Sequence, residues 1–241
     1  QPSLVGFPTR LPGYAGRVME AELDVLGGIE ETGNPRAYVL GGAKVSDSIG
    51  VAENVLERGL ADHVLTTGVV GNVFLFADGA DIGDATADFI HEQGYWEYID
   101  DAADLLEQYG DSIHLPEDVA VERDGERYEL ARDAFPPAEG EAAMDVGSDT
   151  VSAYSAVLAD AETVVLNGPA GVFEEETFAD GTRDLYAAAA ESAYSIVGGG
   201  DTAAAIRRFD LNGFDHVSTG GGAALRMLTG ESLPAVEALE R

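Results

Sequence analysis

The hydrophobic pattern of this chain repeats one phrase: a short apolar run, then glycine, then a stretch at helical spacing. "RAYVLGG" (36–42) leads into "SDSIGVAENVLERG", and "DHVLTTG" (62–68) leads into "VVGNVFLFADG". "ETVVLNGPAG" (162–171) precedes a loop and then "GTRDLYAAAAES". "YSIVGGG" (194–200) leads into "DTAAAIRRF", and "DHVSTGGG" (215–222) leads into "AALRMLTG". Runs of four or five β-prone residues separated by helices predict parallel strands joined by crossover helices. The fold class is therefore α/β, a doubly wound, mostly parallel sheet with helices on both faces. Ligands of such sheets bind beyond the carboxyl ends of the strands. Here those ends carry glycine, which leaves backbone amides open to close approach.

Two regions depart from the pattern. "LPGYAGRVMEAELDVLGGIE" (11–30) predicts a helix before the first strand, with Val18, Leu23 and Leu26 near helical spacing. "SIHLPEDVAVERDGERYELA" (112–131) predicts strands around the turn "RDGE" (123–126), a small β-rich insertion on the sheet edge and not a separate domain. "AFPPAEGEAA" (134–143) is the best linker candidate, between domains or inside one.

Composition then narrows the function classes. The chain has 241 residues, 45% of them hydrophobic, ample for one large domain or two small ones. Its longest apolar stretches are too short and interrupted to cross a bilayer. No basic, apolar, small-residue signal opens it, so a cytoplasmic location is expected. Cysteine is absent, and the histidines (His63, His91, His114, His216) have no paired ligand spacing, which argues against zinc. The formal net charge of −32 disfavours a nucleic-acid surface, because the phosphate backbone would be repelled. Apolar content and regular strand-like runs argue against disorder. An acidic shell adapted to high salt, where screening reaches only about 3 Å at 1 M, is the preferred reading, and it resembles halophile proteins.

Lys44 is the only lysine; the other basic residues are arginines. It lies between the first strand and the helix start predicted at Ser46 and Asp47. A cation there opposes the helix dipole at a cost of about 0.3–1 kcal/mol, and an anion bound at the same helix end reverses the sign. A phosphate-facing lysine is favoured over a solvated one. The sequence is not a P-loop, and no G-x-G-x-x-G follows the first strand, which counts against a standard dinucleotide site. Asp201, after "IVGGG", is either a helix cap or a Mg2+ ligand, and both roles can coexist. "STGGGAAL" (218–225) opens a helix without an acidic residue, as an anion nest would. "LNGPAGVFEEE" (166–176) places Asn167, Gly168, Pro169 and Gly171 ahead of Glu174, and Glu175 and Glu176 read as a solvated face.

In this order, "LGGAKVSDSIG", "VVLNGPAGVFE", "IVGGGDTAAAI" and "HVSTGGGAALRMLTGESLPAVEALE" resemble signatures of the phosphoglycerate kinase family, specifically its C-terminal, nucleotide-binding half. "TTGVVGNVFLFADG" is similar to the nucleotide loop of archaeal members, and "AMDVGSDT" (143–150) resembles a segment bordering the nucleotide. The resemblance implies a Rossmann-like fold over 1–241 and reversible phosphoryl transfer between 1,3-bisphosphoglycerate and MgADP, giving 3-phosphoglycerate and MgATP. It implies that Lys44 contacts the migrating phosphoryl group, amid amides of Gly199, Gly200, Gly221 and Gly222. Asp201 would ligate Mg2+. Gly42, Ala43, Thr67, Gly68, Met144, Asn167, Pro169 and Val172 would line the nucleotide, with Thr202 beside the phosphates and Glu174 near the ribose.

Two departures from the family pattern carry consequences. Ser48 stands where most members have a second lysine, so affinity would lean on Mg2+, helix ends and salt. The opening "QPSLVGF" resembles the first residues after the family's N-terminal domain. The substrate-gripping domain is then expected to lie outside this chain, which alone would be inactive. A monomer is expected. A standalone nucleotide-binding module without catalysis is the alternative; an oxidoreductase is disfavoured by the missing fingerprint.

Overall fold

A computed structural model describes Gly6 and residues 13–228 and 232–239. The rest of the opening through Pro12, residues Thr229 to Glu231, and Glu240 with Arg241 lie outside the described residues. The main sheet has six strands: β1 (Arg36–Leu40), β2 (His63–Thr66), β3 (Ile113–His114), β7 (Thr163–Asn167), β8 (Ser195–Gly198) and β9 (His216–Val217). Their order is β3-β2-β1-β7-β8-β9, and every neighbouring pair is parallel. The chain runs outward from β1 to β3, returns to place β7 beside β1, and continues the other way. The strand order therefore reverses between β1 and β7.

Both faces are covered because the strands alternate apolar residues to both sides. Tyr38, Leu40, Val64, Val165 and Ile196 join one core with α2 (Val45–Glu57) and α3 (Gly68–Ala77). Ala37, Val39, Leu65, Val164, Leu166 and Val197 join the other, beneath α6 (Ser148–Asp160), α7 (Asp180–Ala190) and α8 (Gly200–Arg208). The apolar spacing of α2, with Val45, Ile49, Ala52 and Leu56 buried, keeps one side of it on the sheet. On the first of these faces lie α1 (Arg17–Gly27), the predicted opening helix, and α9 (Gly222–Leu228). The chain also forms α4 (Asp84–Glu92), α5 (Ile99–Tyr109) and α10 (Pro234–Glu237).

The β-rich insertion is antiparallel as expected, but it does not extend the main sheet. Only β3 joins that edge; β4 (Asp118–Arg123) and β5 (Glu126–Ala131) pair around Asp124–Gly125 and recruit β6 (Asp145–Val146) into a separate three-stranded sheet. Both turn residues have positive φ, as a twisted two-residue hairpin requires. Val119, Val121 and Leu130 pack with Leu75 of α3 and Ile82. Asp118 fastens this sheet to the body by capping α6 from afar: its carboxylate accepts from the Asp149 and Thr150 amides at 3.1 and 2.9 Å. The linker candidate 134–143 is an internal loop, with the Ala143 amide donating to Thr86 Oγ1 over 3.0 Å.

Candidate functional site

The carboxyl ends of β1, β2 and β7 are tied together by backbone hydrogen bonds. Gly41 N donates to Asn167 O (2.8 Å), Gly42 N to Pro169 O (2.7 Å) and Thr67 N to Leu40 O (2.9 Å). Such close approach demands glycine at position 168. Its φ is +88°, and a Cβ there would collide with the Gly41 carbonyl. The Gly168 amide donates to the buried Thr202 hydroxyl oxygen over 2.8 Å. Three helices start around this junction: α2 after Lys44, α3 after Thr67 and α8 after Gly199, none with a side-chain cap. Their first-turn amides are therefore available to an anion.

A cleft of about 640 Å³ opens from the β1–β7 crossover toward the small sheet. One end is apolar, with Val69 and Asn72 of α3, Ala85, Thr86 and Phe89 of α4, and Pro116, Ala142 and Ala143. The other end carries Gly42, Ala43, Pro169, Glu174 and Asp201. A narrow gap beside it is lined by Lys44, Asn167, Gly199 and Thr202. Lys44 Nζ lies 3.8 Å from Asp201 Oδ2, with 54% and 67% of the side chains exposed, so this pair is water-screened and leaves both groups free to take other partners.

One wall is built on Asp145, which lines the cleft. Its carboxylate accepts from Gly181 N and Arg127 Nη1, each at 2.9 Å, and from Val146 N. Burial pushes this carboxyl up to about 6, against the pull of the Gly181 amide and the Arg127 guanidinium. Next to it, Val172 N donates to Met144 O over 2.8 Å and holds the Gly171–Val172 turn in the wall.

Of the residues expected from sequence, the structure brings Gly42, Ala43, Gly68, Met144, Pro169, Val172, Glu174 and Asp201 into the cleft lining. Lys44, Asn167, Gly199 and Thr202 line the adjoining gap. Thr67 is fully buried behind the lining, its hydroxyl unpaired. Gly200 is the first residue of α8 and faces solvent, outside both linings. Gly221 and Gly222 sit at the start of α9, also outside them. Their loop is held by Glu22 of α1, whose carboxylate accepts from Ser218 Oγ (2.7 Å) and Thr219 N (2.7 Å). Burial works against that charge, but the Ser218, Thr219 and His216 hydrogen bonds outweigh it and hold the carboxyl below the ordinary glutamate range. Ser48 is fully buried with its hydroxyl unpaired, so position 48 faces the core and not the cleft.

Sequence reasoning missed the apolar end. The one available signal was "GVVGN" (68–72), which puts Gly68, Val69 and Asn72 on one helical face. Among the described residues no cluster of three or more His, Asp or Glu could cage a metal. A single exposed carboxylate, Asp201, fits a Mg2+ that arrives on phosphate oxygens, since Mg2+ takes one or two carboxylates and keeps phosphate and water ligands.

Fold and cleft together define a doubly wound α/β domain whose ligand cleft opens where the strand order reverses. Sequence and structure comparisons narrow that class. A family model described as phosphoglycerate kinase matches residues 1–231, and the chain belongs to that family. It is 67% identical to the phosphoglycerate kinase of Halobacterium salinarum over 239 residues, covering 99% of this chain and 60% of the relative. It is 59% identical to that of Natronomonas pharaonis, with the same coverage. The crystal structure of phosphoglycerate kinase from Pyrococcus horikoshii OT3 superposes with a TM-score of 0.94 at 42% identity, over 100% of this chain and 60% of that one. The chain thus spans about 60% of the length of the curated relatives it matches.

Proposed function

We propose that residues 1–241 are the C-terminal nucleotide-binding domain of a two-domain phosphoglycerate kinase. The whole enzyme transfers a phosphoryl group reversibly between 1,3-bisphosphoglycerate and MgADP, giving 3-phosphoglycerate and MgATP. The grip on the acidic substrate then comes from a segment outside this chain. The observation that carries this reading is the two-ended cleft at the β1–β7 crossover: an apolar end suited to a base, and an end with Lys44, Asp201 and uncapped helix starts suited to phosphates.

In this reading the base lies against Val69 and Phe89, and the sugar runs past Val172 toward Glu174. The phosphates end among the starts of α2 and α8, where Gly199 and Gly200 present amides. Gly221 and Gly222 complete the cradle from α9. Lys44, on its flexible four-carbon stem at the start of α2, exchanges its Asp201 contact for the migrating phosphoryl group, countering charge that spreads over its oxygens in the transition state. Asp201 would hold Mg2+, which would supply charge neutralisation on the nucleotide oxygens. Thr202 keeps the Gly168 turn in place through its buried hydroxyl.

Two variants test this in a protein extended to the relatives' full length. Lys44→Ala is expected to lower transfer by about 10²-fold or more while MgADP affinity changes little; full turnover would overturn the role of Lys44. Asp201→Ala is expected to weaken MgADP binding far more than metal-free ADP binding. Equal losses would exclude metal ligation.

A further inference from the structure

The fold treats the asparagines of this chain unequally. Asn34 precedes Pro35, which has no backbone N–H. Asn54 and Asn72 lie inside α2 and α3, where the helix ladder holds the amide of the residue that follows. Asn167 and Asn212 each precede a glycine. Asn167 ends β7 and is 4% exposed, and the Gly168 amide donates to Thr202 Oγ1 over 2.8 Å. Asn212 and Gly213 lie exposed in the connection from α8 to β9. The Gly213 amide has no hydrogen-bond partner among the described residues. The Asn212 side chain makes one hydrogen bond among them, from Nδ2 to the Asp210 carbonyl over 3.0 Å. The fold also keeps position 213 a glycine: its φ is +108°, and a Cβ there would stand 3.1 Å from the Ala190 carbonyl oxygen.

We infer that Asn212–Gly213 is a site of spontaneous covalent modification, at which Asn212 deamidates to a mixture of aspartate and isoaspartate. Solvent hydroxide takes the Gly213 amide proton, and the freed nitrogen attacks Asn212 Cγ. An N–C bond forms, the Cγ–Nδ2 bond breaks, and Nδ2 leaves as ammonia with a proton from water. The chain then carries a cyclic imide. A water molecule adds to either of the imide carbonyls and opens the ring, giving aspartate or isoaspartate according to which one it enters. The co-reactant is solvent water, nothing is oxidised or reduced, and the net change is amide plus water to carboxylic acid plus ammonia. Glycine favours the attack because no side chain screens its nitrogen. Asn167–Gly168 is the same dipeptide, but its nitrogen is committed to Thr202 and β7 must open before the ring can close. Isoaspartate adds a main-chain carbon between Leu211 and Phe214, which both pack on the core shared with α8, so that form shifts the approach to β9.

Peptide mapping by mass spectrometry tests it. The native chain in multimolar KCl, and the same chain unfolded in urea, are kept at mildly alkaline pH in water enriched in heavy oxygen until Asn167 of the unfolded sample has reacted. Both are then digested in ordinary water. In the native sample the peptide holding Asn212 is expected to gain solvent oxygen and to separate into aspartyl and isoaspartyl forms. Asn167 is expected to react about a hundredfold more slowly there, as a core strand that must first open. Asn212→Gln, whose longer side chain must close a larger ring, is expected to leave that peptide unlabelled. A native Asn212 that keeps its amide overturns the inference, and so does labelling that persists in Asn212→Gln. Aspartate without isoaspartate overturns the cyclic imide, which must give both. Equal conversion of Asn212 and Asn167 in the native chain would show that the fold selects neither, and the inference would fall.

Discussion

Asp145 sets burial against a salt bridge, and replacing it with asparagine shows which one wins. The carboxyl is almost wholly enclosed and its pKa is raised from 3.8 to about 6, even though Arg127 Nη1 lies 2.9 Å away. That displacement corresponds to about 3 kcal/mol, taken as an upper figure. The sign follows from linkage. A group that holds its proton more tightly when folded contributes stability that is complete below pH 3.8 and is lost as pH rises through about 6. The asparagine of the variant does not titrate, so the stability gap between wild type and Asp145→Asn should be widest near pH 4 and narrow by up to about 3 kcal/mol by pH 7. At the acidic end the wild type should be the more stable. The asparagine NH2 must face Val146 N–H or the Gly181 and Arg127 donors, and a buried unmatched donor costs about 1–3 kcal/mol. Urea unfolding of both proteins from pH 4 to 7, at constant multimolar KCl, measures the gap. A gap that stays flat or widens as pH rises would mean that Arg127 outweighs burial, and the reasoning would fail.

Other consequences follow from the same geometry. Gly168→Ala forces a side chain into a left-handed position against the Gly41 carbonyl; it should cost more than about 2 kcal/mol and abolish MgADP binding, because the Gly42–Pro169 contact must shift. An unfolding midpoint within error of wild type would contradict the close-approach argument. Salt should matter throughout: with −32 net charges, lowering KCl from multimolar to millimolar should depress the melting temperature, each kcal/mol lost lowering it by about 2–4 °C in a chain of this size. A flat melting temperature would refute the acidic-shell reading.

The parts of this fold legible from sequence are those in which one local pattern answers one structural demand. Parallel strands buried on both faces read as unbroken apolar runs, so β1, β2, β7 and β8 stood out. The glycines after them mark where backbones touch, as at Gly41 and Gly168, and this located the glycine-bearing end of the cleft. The apolar end was not legible. Ala85, Phe89, Pro116 and Ala142 are ordinary residues on distant segments, and only tertiary packing brings them together. The stretch 134–143 has a linker's composition, yet its last residue is pinned by Thr86 and its neighbour Met144 donates to Ala120 O. Asp145 lies within the 143–150 motif, but its charged partner, Arg127 of β5, lies outside it. Ser48 stands where the family pattern has a lysine, and only packing shows that its position points into the core.

The central claim is that MgADP occupies the cleft at the β1–β7 crossover with its phosphates toward Lys44 and Asp201. Backbone amide resonances of the isotope-labelled chain, followed as MgADP is added, test it directly. Shifts should concentrate at Gly42, Lys44, Gly68, Val172 and Asp201, and should leave Leu26 and Met227, which line a separate pocket, unmoved. Shifts centred on Leu26 and Met227, or none at saturating nucleotide, would contradict the account.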